Sequence, residues 1–112
     1  MQIVKSKIIK KDISEKCQHH FKDMVKAVVD IENKILAVDA ELHSDLEELL
    51  LENGSKQENL WGINIYPHEP GEKFIEYTSL INIRPSQGNS SMEVKSNDLR
   101  IKIKKIVSDL II

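Results

Sequence analysis

The stretch Arg84-Pro85-Ser86-Gln87-Gly88-Asn89 is rich in groups that could hold a ligand. A guanidinium is a planar, permanently charged fork that matches a carboxylate or a phosphate. Ser86, Gln87 and Asn89 place further donors around it, and Gly88 leaves the backbone pliable. The spacing matches neither a phosphate-binding P-loop nor a dinucleotide fingerprint. The competing reading is a simple turn in which Arg84 pairs with one of the many acids of residues 30–58.

Glu41-Leu42-His43, with Asp39 before it and Asp45 after it, is the second candidate. If residues 39–43 stay extended, Asp39, Glu41 and His43 project to one side with period two. Glu41 and His43 would then form a carboxylate–imidazole pair suited to general acid/base work. Arg84 could steady developing negative charge beside them. The spacing is not a recognised metal motif, so no metal is expected, and no cofactor motif is present. Alternatively His43 merely leads into a helix while the acids face solvent.

Asn64 and Asn82 form the third group, with Asp30 as a further member. Asparagine inside a strand competes for backbone hydrogen bonds and is locally unfavourable. Two of them at matching strand positions ask for a reason. A buried amide pair that fixes strand register is one, and the floor of a ligand pocket is the other. Trp61 shares a strand face with Ile63 and Ile65, which marks it as core rather than a stacking platform.

These residues must be positioned by the elements around them. Residues 2–9 read as a short first strand. Asp12 and Glu15 resemble a capping box, and Ile13, Cys17 and Phe21 make one stripe of a helix over 12–22. Cys17 lies on that inner stripe as a small hydrophobe. Val25–Ile31 and Ile35–Ala40 alternate as a hairpin with Glu32-Asn33-Lys34 at its tip. Ser44-Asp45-Leu46-Glu47 opens the next helix, which Asn53-Gly54 closes with Gly54 in the left-handed position. Leu60–Tyr66 is a strand stopped by Pro67, and Phe74–Arg84 is its partner, broken near Thr78-Ser79. Residues 85–97 read as a mobile loop. Ser96, Asn97 or Asp98 caps a last helix with Leu99, Ile103, Ile106 and Leu110 on one face. Ile101 and Ile112 fall outside that face and suggest a weak homo-oligomer contact.

The order β-α-β-β-α-β-β-α predicts an α+β domain over 1–112, with a mainly antiparallel sheet of four to five strands and three helices packed on it. The 112 residues suffice for one core without staples, and 33 of them are Ile, Leu or Val. A single cysteine excludes an internal disulfide and suits a reducing compartment, so a cytoplasmic location is expected. No apolar run reaches the roughly 20 residues of a membrane helix, and the N-terminus lacks the apolar core of a signal peptide. The net charge of −2 conceals a block at 30–58 with nine acids against two lysines. That block argues against a nucleic-acid surface, which needs a basic stripe. The lysines at 5, 7, 10 and 11 read as protection of an edge strand.

The runs Met24–Glu32, Glu41-Leu42-His43, Leu49-Leu50-Leu51-Glu52-Asn53-Gly54-Ser55-Lys56-Gln57-Glu58-Asn59-Leu60-Trp61-Gly62-Ile63-Asn64-Ile65-Tyr66-Pro67 and Ile81-Asn82-Ile83-Arg84-Pro85-Ser86-Gln87-Gly88-Asn89 resemble an uncharacterised family of small prokaryotic proteins, a domain of unknown function. The resemblance covers nearly the whole chain. It implies a compact stand-alone domain and carries no catalytic residue with it.

Two functional readings follow. The first is a noncatalytic binding or interaction module whose polar face, Asn64, Asn82, Arg84, Ser86, Gln87 and Asn89, takes a small anionic ligand or a protein partner. The alternative is a small metal-independent hydrolase or nuclease-like enzyme that uses Glu41, His43 and Arg84.

Overall fold

The structure is a computed structural model that describes residues 1–112. The elements are β1 (Gln2–Val4), α1 (Lys10–His20), β2 (Val25–Asp30), β3 (Ile35–Val38), α2 (His43–Glu52), β4 (Leu60–Ile65), β5 (Ile75–Glu76) and α3 (Asn97–Leu110). The strands form one sheet in the order β1-β3-β2-β4-β5, and every neighbouring pair is antiparallel. This is the α+β architecture that the element order predicts.

The sheet is the middle of three layers. On one face α1 and α3 bury Ile13, Cys17, Ile103, Ile106 and Val107 against Val25, Ala27, Val29, Trp61 and Ile63. On the other face α2 buries Leu46 and Leu50 against Val28, Ala37 and Leu60. Burial on both faces explains why β2 and β4 read as nearly continuous apolar runs. All six residues of β4 are buried.

The end of α2 follows its sequence signal. Gly54 has φ +97°, the Gly54 N–H donates to the Leu51 carbonyl, and the Ser55 N–H donates to the Leu50 carbonyl. This double hydrogen bond is the Schellman termination, which needs a left-handed residue. A Cβ at Gly54 meets no neighbour, so substitution acts through the backbone alone. Gly54→Ala is expected to lower stability by about 1 kcal/mol, read as a shift in the urea midpoint with an unchanged slope.

The helix starts differ from the sequence expectation. α1 begins at Lys10 with Ile9 as N-cap, α2 begins at His43 with Leu42 as N-cap, and neither cap residue makes a side-chain bond. Tertiary contacts set both starts. The Ile8 N–H donates to Leu110, Lys10 to Ile112 and Ile112 back to Ile8, so the C-terminal residues fix the entry to α1. Ser96 does cap α3, its Oγ accepting from the Leu99 N–H at 3.2 Å.

The strand expected over Phe74–Arg84 is reduced to Ile75–Glu76, followed by 3₁₀ turns at Leu80–Asn82 and Pro85–Gln87. The first strand is also short, ending at Val4. In the β2–β3 turn the positive φ falls on Lys34, at +56°, rather than on Asn33. Asp30 organises that turn: its carboxylate accepts from the backbone N–H of Glu32 and Asn33, the Asn33 amide and the Ser55 hydroxyl. Burial opposes the charged form of Asp30, but these donors outweigh it and hold the pKa below the ordinary aspartate value.

Candidate functional site

The structure gives Arg84 an internal task. It is buried, with its guanidinium carbon 4.7 Å from the centre of the Trp61 ring. Nε donates to the Ile81 carbonyl at 3.0 Å. One terminal nitrogen donates to the Gln57 carbonyl at 2.7 Å and reaches Gln87 Oε1 at 3.5 Å. The other donates to the Leu60 carbonyl and to Glu47 Oε2, the latter at 3.3 Å. A guanidinium has five N–H donors, and five acceptors of the protein occupy them. Burial pulls its pKa down while Glu47 works against that shift. Arg84 therefore ties the turn at 81–87 to the start of β4 and to α2, and no donor is left over for an anion. Pairing with an acid of the 30–58 block, the competing sequence reading, is what the geometry contains.

Asn82 and Asn89 are also structural. Gly62 N–H donates to Asn82 Oδ1 at 2.8 Å, and Asn82 Nδ2 donates to the Gly62 carbonyl at 2.9 Å. The side-chain amide thus stands in for a strand residue on the edge of β4 beyond the reach of β5. Glycine is required opposite, because a Cβ at position 62 would lie 2.5 Å from the Ser79 Cβ. Asn89 Nδ2 lies within hydrogen-bond distance of the carbonyls of Asn82, Ser91 and Glu93, and Oδ1 accepts from the Lys95 N–H. Residues 84 and 89 exchange backbone hydrogen bonds, with Gly88 at φ +77° closing the loop. The loop expected to be mobile is pinned at its root by these bonds. Gln87 Nε2 donates to the Glu58 carbonyl, and Ser86 is exposed with no side-chain hydrogen bond.

The Glu41–His43 group does not assemble as the period-two reading expects. Asp39 has φ +77°, which breaks the extended run, and its carboxylate meets His19 Nδ1 at 2.6 Å. Glu41 is exposed. His43 is buried at the first turn of α2, and its Nε2–H donates to the Ile63 carbonyl at 2.8 Å. Burial chiefly, with Lys26 in the same direction, lowers the His43 pKa to about 4 against the opposing Ile63 carbonyl and Asn64 amide. The ring is neutral at physiological pH. It has no hydrogen bond to Glu41, and Arg84 has no free donor to complete a catalytic set.

Asn64 and Asn82 do not meet. Asn64 Nδ2 donates to Glu76 Oε1 at 2.7 Å, and the buried Asn64 Oδ1 has no partner.

A broad concavity lies elsewhere. A groove of about 1080 Å³ runs between residues 66–78 and α3, with Lys10 at one end. Its floor includes Phe74, Ile75, Tyr77 and Ile111, and Ile101 and Ile112 stand exposed at its rim. Lys10 Nζ sits 5.1 Å above the Phe74 ring, and the Arg100 guanidinium 4.8 Å above Tyr77. Sequence reasoning had no groove in view. Its one signal was the pair Ile101 and Ile112, apolar residues off the buried face of α3.

No helix is long and apolar enough to cross a membrane. No curated protein and no solved structure matches the chain. A family model matches residues 2–110, and the chain belongs to that family, described as Protein of unknown function (DUF5674).

Proposed function

We propose that the protein is a noncatalytic interaction module that holds an extended segment of a partner protein in the groove between β5 and α3. The observation that carries this reading is the state of the groove's charges. Lys10, Lys73, Arg100 and Lys104 line it, and none has an ion-pair partner. Glu69, Glu72 and Glu76 line it too, equally unpaired; of the lining acids only Glu93 forms a pair, with Lys95. Opposite charges thus face one apolar floor without closing over it. Such a surface offers hydrophobic contact at its centre and charge recognition at its rim.

The β5 edge adds a backbone contact. Tyr66 N–H donates to the Phe74 carbonyl, and Asn64 pairs with Glu76. Antiparallel bonding alternates, so the intervening residue Ile75 turns its N–H and C=O to the outer side of β5. An incoming extended chain can pair there, as in strand addition. Further along, residues 92–94 already cover the edge, with Ser79 bonded to Met92 and Val94 to Tyr77.

The probe is a short capped peptide with lysine at every even position and valine or glutamate at the odd ones. In nitrogen-15 NMR titration it is expected to shift the amides of residues 73–77 and 97–104 and to leave β1 unmoved. The shifts should shrink on adding salt, since exposed charges are screened over about 8 Å at 0.15 M. Ile101→Asp, at an exposed position, should weaken binding severalfold without unfolding the chain. Shifts confined to other surfaces, or none, overturn the reading.

A further inference from the structure

Glu76 differs from the other carboxylates of the groove. Its Oε1 accepts from Asn64 Nδ2 at 2.7 Å and from the Tyr66 hydroxyl at 3.3 Å. Its Oε2 has no partner and the side chain is exposed. Two neutral donors therefore fix one oxygen of the carboxylate, whose charge is shared by both oxygens, and leave the other without a partner in the lining of the groove. Burial and the nearby carboxylate keep the Tyr66 hydroxyl protonated, so it remains a donor.

The support for Glu76 is made at a cost to the fold. Asn64 is 7% exposed, and its Oδ1 lacks a hydrogen-bond partner within 3.5 Å, although the amide lies against the buried His43 ring and favours its protonated form. Asn82, Asn89 and Asp30 bury amides and a carboxylate with every polar group bonded. A buried acceptor left unsatisfied destabilises a protein and calls for an explanation. Asn64 fixes no strand register that the β4 backbone does not already fix. Its side chain lies against His43 and donates to Glu76 Oε1, which aims that carboxylate.

Asn64 also stands between Glu76 and Lys26, the cation in register with it across the sheet. Lys26 pairs with Asn64 across β2 and β4, and Asn64 pairs with Glu76 across β4 and β5. Two strand spacings of about 4.8 Å separate Lys26 from Glu76, and Lys26 instead turns over the Phe21 ring at 5.3 Å. The carboxylate is held rigid, exposed and without a counter-charge. That is the preorganisation a cation-recognising group needs.

We infer that Glu76 is the selectivity residue of the groove, receiving the ammonium or guanidinium of a partner's lysine or arginine side chain, with Asn64 as its positioning residue. This rests on the reading of the groove as a peptide site. It adds the chemistry of the residue that the groove chooses. An extended chain beside β5 presents alternate side chains to the two sides of the sheet. Those on the Glu76 side are basic. Those on the α3 side, facing Arg100 and Lys104, are apolar or acidic.

The test compares the lysine peptide above with a peptide in which norleucine replaces each lysine. Wild type is expected to bind the lysine form at least tenfold more tightly. Glu76→Gln keeps the oxygen that Asn64 and Tyr66 hold but removes the charge, and it should bring the ratio close to one. Asn64→Thr should lower the ratio part of the way, a change in selectivity that a purely structural residue would not produce. Equal binding of both peptides by wild type, or an unchanged ratio in Glu76→Gln, overturns the assignment of Glu76 and leaves the peptide groove standing. No shift at residues 73–77 with either peptide overturns both.

Discussion

Arg84→Met is expected to destabilise the protein by about 3–5 kcal/mol, the usual cost of leaving the partner of a buried ion pair alone. The substitution removes all five donors at once. Glu47 loses its cation, and the carbonyls of Leu60, Gln57 and Ile81 lose hydrogen bonds in a region where water does not readily replace them. The thioether chain fills part of the space against Trp61 but supplies none of the polarity. Arg84→Lys should recover less than half of the loss, because a single ammonium cannot reach acceptors on three separate segments. Urea melts followed by Trp61 fluorescence measure both variants, since the guanidinium lies over that ring. A folded Arg84→Met of near wild-type stability, in a protein whose melting temperature rises with phosphate, would restore the anion-site reading and remove the clamp.

The segment leading to Arg84 shows where sequence reasoning stopped. Ile81-Asn82-Ile83-Arg84 alternates like a strand, and alternation is the main strand signal. The chain makes a 3₁₀ turn there because Asn82 bonds to Gly62, 20 residues away, and Arg84 to Leu60, 24 residues away. Local period carries no trace of such bonds. The same limit applied to the capping motifs. Asp12–Glu15 and Ser44–Glu47 match the pattern, yet pairing of Ile8 and Lys10 with the C-terminal residues and burial of His43 on β4 decide where the helices begin.

What was legible had a local cause. The hairpin of β2 and β3, the six-residue β4 and the helices α1 to α3 follow from apolar spacing, and Gly54 follows from its position after the last leucines. Trp61, Ile63 and Ile65 share the face that the period of two assigns to them. The unusual asparagines were rightly marked as needing a reason. The reasons proved different: Asn82 completes a strand edge, while Asn64 holds a carboxylate and carries an orphan atom. Only the folded arrangement separates the two. The groove was hidden because β5 is two residues long and its walls come from segments some thirty residues apart.

His43 carries the second large effect. Its pKa in the folded protein is about 4, against 6.5 for an unburied imidazole. As pH falls below 6.5 the unfolded chain takes up a proton that the folded protein resists, so stability declines as acid is added. The His43 contribution is complete above about pH 6.5, falls through the interval down to about pH 4, and is constant below it. A difference of this size corresponds to about 3 kcal/mol at 1.36 kcal/mol per pH unit. Asp30, whose pKa is lowered from 3.8, acts in a lower window and does not obscure it. His43→Gln offers an amide donor to the Ile63 carbonyl without a titrating ring. It should cost stability at pH 7, through imperfect packing of the buried site, yet flatten the profile between pH 6.5 and 4.5. The measurement is a series of urea melts across that range for both proteins. If the two profiles run parallel, His43 does not carry the pH dependence, and its neutral, inward-facing state is not what the acid destabilises.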